Sequence, residues 1–185
     1  MDSIRNPFAP GAGSRPPELA GRENIIDNAR IALHRSLKGR ATKSQILLGL
    51  RGTGKTVLLN EIEQLAEDIG HITSVIEAPE DKTLAALLYP KAHQALRKFS
   101  NFETAKHATR SATRALRNFA AAFKIAVGDT EVAVEPAAGI ADTGDIELDL
   151  ADLFVEIGQA AKAAGKGWTL LIDEVQYLRA CPKSG

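Results

Sequence analysis

Apolar residues recur along this chain with two different spacings, and the spacing changes from segment to segment. In "GRENIIDNARIALHRSLKG", Ile25, Ala29, Ala32, Leu33 and Leu37 repeat at helical intervals, and Gly39 follows as a stop. "TGKTVLLNEIEQLAEDIG" repeats the pattern: Leu58, Leu59, Ile62, Leu65, Ala66 and Ile69 line one face and Gly70 ends it. Between these helices lies "SQILLGL", a short apolar run bounded by polar and glycine residues, which predicts a buried strand. "HITSVIEAP" predicts a second buried strand, closed by Pro79. From about Lys82 to Lys124 the pattern is helical, with breaks expected near Pro90 and near "FSNFE". "KIAVGDTEVAVEP" alternates with period two around Gly128-Asp129 and suggests a small hairpin. "DIELDLADLFVEIGQAAKAAG" predicts a helix capped by Asp145 or Asp149, and "GWTLLIDEVQYL" a third buried strand running into a turn or helix. Strand, helix, strand, helix, strand implies an α/β fold with a parallel sheet. No internal repeat is present.

Composition narrows the class. The 185 residues are 44% hydrophobic and 25% charged, enough to bury a core, and residues 1–20 read as an extended arm rich in Pro, Gly, Ala and Ser. The formal net charge is zero, so no global field favours nucleic acid or membrane. Charge is nevertheless segregated locally. Residues 91–124 hold eight Lys or Arg and one acid, Glu103, while residues 125–161 hold nine acids and no Lys or Arg. Lys106, Arg110, Arg114 and Arg117 fall on one helical stripe and Leu116, Phe119 and Phe123 on another. The stripe is a candidate DNA or RNA phosphate contact. Its competing reading is a solvated face balanced by the acidic segment. No aromatic residue interleaves with it to stack on bases. His34, His71, His93 and His107 lack metal-ligand spacing. A single cysteine, Cys181, no apolar signal core and no apolar run near 18 residues lead us to expect a soluble cytoplasmic protein.

Two motifs carry chemistry. "GLRGTGKT", Gly49 to Thr56, matches the phosphate-binding pattern G-x-x-x-x-G-K-[ST] between a predicted strand and helix. Glycines permit positive φ and close approach to phosphate, and the loop and helix N–H groups face the anion. The nucleotide-binding set is thus Gly49, Leu50, Arg51, Gly52, Thr53, Gly54, Lys55, Thr56 and Val57. Lys55 would reach the β- and γ-phosphates of ATP, and the Thr56 hydroxyl would coordinate Mg²⁺. The competing reading is an ordinary glycine-rich βα turn. In "TLLIDE", Asp173 would sit at the carboxyl end of a strand, where open parallel sheets bind ligands, and would hold Mg²⁺. Glu174 would polarise the water that attacks the γ-phosphate. Otherwise the pair is two solvated carboxylates. A glutamate following the metal aspartate favours ATP hydrolysis, and no Asn-Lys-x-Asp guanine-reading stretch is present.

Together these residues resemble the AAA+ family of P-loop ATPases, especially origin-recognition-type and signal-transduction ATPase domains. "LAGRE", Leu19 to Glu23, looks like the family's Gly-Arg-Glu box, "GLRGTGKTVLL" like its Walker A motif and "LLIDEVQYL" like its Walker B motif. The resemblance covers about residues 17–80 and 165–179. It implies a three-layer αβα P-loop fold over 21–185, with a helical or hairpin insertion at about 82–145. It also implies that Leu19, Ala20 and Arg22 contact adenine; the competing reading of Arg22 is a solvated residue at a helix start. Such domains continue past Walker B into a sensor strand, an arginine finger and a lid, none of which fits in "RACPKSG". The expectation is therefore an N-terminal fragment of a longer ATPase, or a frameshift-truncated chain, with the sensor strand and lid missing. In the family's strand order the sensor strand flanks "ILLGL", which without it must leave backbone groups unpaired or pair directly with "TLLID". Three functional readings follow: a Mg-dependent ATPase, a nucleotide-dependent switch or nucleic-acid-binding module with little turnover, and an inactive fragment. Partners remain open between a homo-oligomer and a missing C-terminal portion.

Overall fold

The structure is a computed structural model that describes residues 22–50, 52–80, 82–125 and 140–178. The suggested hairpin, the N-terminal arm, Leu19, Ala20, Arg51 and Cys181 lie outside these residues. The chain divides between His71 and Ile72 into two compact units.

In the first unit, α1 (Glu23–Leu37) and α2 (Lys55–Ile69) form where helical spacing predicts them. Ala29 and Leu33 on α1 and Leu58, Ile62 and Ala66 on α2 are buried. Gly70 takes φ 106° and its N–H bonds the Ala66 and Glu67 carbonyls, a left-handed C-cap that a Cβ would strain.

The strand expected over Ser44–Leu50 does not form. Residues 40–50 take no regular structure, and Ile46, Leu48 and Leu50 are 76%, 90% and 82% exposed. The two described strands pair only with each other. An apolar run without a ladder partner would bury unpaired N–H and C=O groups, so these stay in contact with water instead.

The second unit opens at Ile72 within β1 (His71–Glu77), which pairs with β2 (Gly167–Asp173) in a parallel two-stranded sheet. Parallel strands need a crossover, and here it contains α3 (Leu84–Phe99), α4 (Lys106–Ala122) and α5 (Ile146–Ala163). The expected break at Pro90 is absent: α3 runs through it. Pro90 is exposed, and the buried stripe Ala85, Leu88, Ala92, Ala95, Leu96 and Phe99 continues on both sides, so packing holds the helix across the missing N–H. The break at "FSNFE" does occur, as a turn with a short 3₁₀ segment, Glu103–Ala105. The core joins Ile76 of β1 to Leu96 and Phe99 of α3, Leu116 and Phe119 of α4, and Leu153 and Ile157 of α5. The Trp168 indole N–H donates to the Ser74 hydroxyl at 3.1 Å, tying β2 to β1, and packs edge-on against Phe154.

The two aspartates at the start of α5 divide their roles. Asp145 is the N-cap, accepting from the N–H groups of Glu147 and Leu148. Asp149 is fully buried and accepts from the Thr143 N–H, the Thr143 hydroxyl and the Gly144 N–H at 2.8–3.0 Å. These bonds replace the water a buried carboxylate loses.

Candidate nucleotide site

In the first unit the chain enters α2 through a loop shaped by glycine. Gly52 and Gly54 have φ of 81° and 75°, a left-handed backbone that side chains rarely adopt. A Cβ on Gly52 would meet nothing within 4 Å, so its requirement is conformational. At Gly49 the requirement is steric, because a Cβ would lie 2.8 Å from the Thr53 hydroxyl. Gly54 caps α2 without a side chain, so no side-chain oxygen competes for the first N–H groups of the helix.

The loop's carbonyls are engaged. Lys55 folds back and its ammonium donates to the Gly49 and Leu50 carbonyls, both at 3.0 Å. The Thr53 hydroxyl also donates to Leu50 O, at 2.8 Å. The Arg22 guanidinium grips the far side, donating to Gly54 O at 3.1 Å and to Thr53 O. Oxygen atoms that would repel a phosphate are thereby held by cations and a hydroxyl. Arg22, which the resemblance assigns to the adenine base, is bonded here to the loop itself. A cavity of about 1130 Å³ opens beside this loop, lined by Arg22, Ile25, Asn28, Gly49, Thr53 and Lys55 among others. Its volume is ample for a nucleotide. Thr56 and Val57 occupy the first turn of α2. A cradle of this form suits a polyphosphate and its cation.

In the second unit β2 delivers Asp173 and Glu174 side by side. Asp173 is half-buried, its carbonyl accepts from Ala78 N–H at 3.2 Å, and its carboxylate accepts from Glu174 N–H at 2.9 Å. Glu174 takes φ 54° and ψ 38°, a left-handed conformation costing about 1–2 kcal/mol for a residue with a Cβ. The strand ends abruptly there and turns into a 3₁₀ segment, Val175–Tyr177. The Gln176 side-chain amide donates to the Glu174 carboxylate.

The family model described as an AAA ATPase domain matches residues 18–182. The chain belongs to this family. Among curated proteins and solved structures, none matches it. Membership places the chain among ATP-binding ATPases of the P-loop αβα fold, with which the mixed α/β architecture and the parallel strand pair agree.

In this AAA ATPase domain the structure gathers Arg22, Gly49, Leu50, Thr53, Gly54 and Lys55 around one loop and sets Asp173 and Glu174 at the end of one strand. Two contacts escape the motif reading. The Thr53 hydroxyl fastens the loop to Leu50, and Gln176 orients Glu174. Both occupy positions the motifs leave free, so spacing alone could not single them out. Among the described residues no cluster of three or more His, Cys, Asp or Glu forms a metal site, and no helix is long and apolar enough to cross a membrane.

Proposed function

We propose that this AAA ATPase domain binds Mg-ATP at the Gly49–Thr56 loop and hydrolyses it to ADP and phosphate. The observation that carries the reading is the loop itself: two left-handed glycines, carbonyls engaged by Lys55 and Arg22, and an α2 N-terminus without a side-chain cap. On binding, the backbone N–H groups and the Lys55 ammonium receive the phosphate oxygens. Thr56 and Asp173 are the residues that would supply oxygens to Mg²⁺, an ion that would neutralise charge on the transferring phosphoryl group. Glu174 accepts a proton from water as the water oxygen bonds to the γ-phosphorus and the bond to the ADP oxygen breaks. The left-handed Glu174 and its contact with Gln176 fit a carboxylate held in one orientation.

The test is a pair of variants. Lys55→Ala is expected to abolish ATP binding by calorimetry. Glu174→Gln is expected to retain binding while phosphate release falls by about 10²-fold or more. Full turnover by Glu174→Gln would remove Glu174 from the chemistry. Binding without turnover in the unaltered chain would favour a nucleotide-dependent switch.

A further inference from the structure

A second cationic feature lies on the second unit, away from both motifs in sequence. A groove of about 520 Å³ runs along α4, lined by Lys106, Arg110, Arg114 and Arg117 together with the hydroxyl residues Ser100, Thr109 and Thr113. Lys106 pairs with Glu103. Arg110, Arg114 and Arg117 are exposed and make no hydrogen bond or ion pair among the described residues. Of the six described acids of the adjoining segment, Asp145 caps α5 and Asp149 is saturated by Thr143 and Gly144. Thr109 supplies an independent observation. It is only 6% exposed, it lines the groove, and its hydroxyl oxygen has no hydrogen-bond partner. A buried hydroxyl without a partner is uncommon and points to a group that arrives from outside.

We propose that this groove binds the phosphodiester backbone of a nucleic acid without reading its bases. Lys106, Arg110 and Arg114 repeat every fourth residue, about 6 Å apart along the helix, and Arg117 extends the row to about 16 Å. A regular row of guanidinium groups suits successive phosphates, each of which can take two parallel N–H bonds. The Thr109 hydroxyl then donates to a phosphate oxygen, as Ser and Thr do at such backbones. The groove contains no aromatic side chain, so it offers no platform for base stacking and no sequence preference. Asn118, buried on the same helix, donates to the Ile140 carbonyl at 3.1 Å and ties α4 to the segment before α5. This inference stands independently of ATP hydrolysis.

The test uses the whole chain and a fluorescein-labelled short DNA duplex, followed by anisotropy. Three neutralised phosphates predict an affinity that falls about 40-fold between about 50 and about 200 mM salt. Replacing Arg110, Arg114 and Arg117 together by Gln should abolish most of that salt dependence, and each single replacement should lower the log–log slope by about one. Thr109→Val keeps the shape and charge, and should weaken binding several-fold without changing the slope. All these side chains except Thr109 are exposed, so melting curves of the arginine variants should match the unaltered chain. Unchanged affinity in the triple variant would overturn the proposal. So would equal competition by polyglutamate and polyphosphate, which would mark an acidic-peptide surface. Binding that appears only after residues 126–139 are deleted would show the row to be covered by the chain's own acids and would likewise overturn it.

Discussion

His71 shows how a single side chain can set a pH response. It is buried, and since the Leu33 carbonyl 3.1 Å away can only accept, Nε2 carries the proton that bonds it. Burial lowers its pKa below the ordinary 6.5; the Leu33 bond opposes this, and nearby His34 adds to the lowering. The folded protein therefore keeps His71 neutral at pH values where the unfolded chain has taken up a proton. The unfolded state binds more protons, so stability is full above about pH 6.5 and is lost as pH falls toward the depressed folded pKa. Melting by circular dichroism at pH 7.5 and 5.5 should show a larger drop for the unaltered chain than for His71→Gln, which can still donate to Leu33 but does not titrate. Equal drops would show that His71 does not control the response. Glu174 and Arg22 make the same point about residues. The sequence marks Glu174 for the attacking water and Arg22 for the adenine base, yet spacing does not show that one sits in a left-handed turn and the other holds two loop carbonyls.

Among the elements, "SQILLGL" and α3 departed from their patterns in opposite directions. The apolar run had the composition of a strand but no described neighbour to pair with, and Ile46 and Leu48 remain exposed. The α3 segment contained a residue that breaks helices, yet stayed helical because its buried stripe is continuous. A strand is a property of two segments, whereas a helix satisfies its own backbone; the first depends on partners and the second on its buried face. Replacing Ile46 and Leu48 by Ser should accordingly shift the melting temperature by no more than about 2 °C, the ordinary range for surface positions. A fall of the size seen for buried leucines, about 2–5 kcal/mol each, would instead place this run inside a core.

At the scale of the whole molecule, the second unit owes its cohesion to three helices around a minimal sheet. Phe119 is fully buried, lies tilted against Phe123 with ring centroids 4.8 Å apart and belongs to the same core as Leu96, Leu153 and Ile157. Phe119→Ala should cost about 3–5 kcal/mol in denaturant unfolding, with the midpoint moving at unchanged slope. A cost under 1 kcal/mol would mean that the helices do not pack as described. The sequence alone was enough to place α1, α2, β1, α4, α5 and β2, the stop at Gly70 and the membership that "GLRGTGKT" and "LLIDE" announce, because helical periodicity, glycine φ and motif spacing are local quantities. It also placed Lys106, Arg110, Arg114 and Arg117 on one face. Only the tertiary structure decided which aspartate caps α5 and which is buried, that Arg22 clasps the loop, that Thr109 lies unpaired beneath the arginines, and that Ile46 and Leu48 face water. Each of these turns on what lies across from a residue in space, and pairing, burial and hydrogen-bond satisfaction are set by segments far apart in the chain.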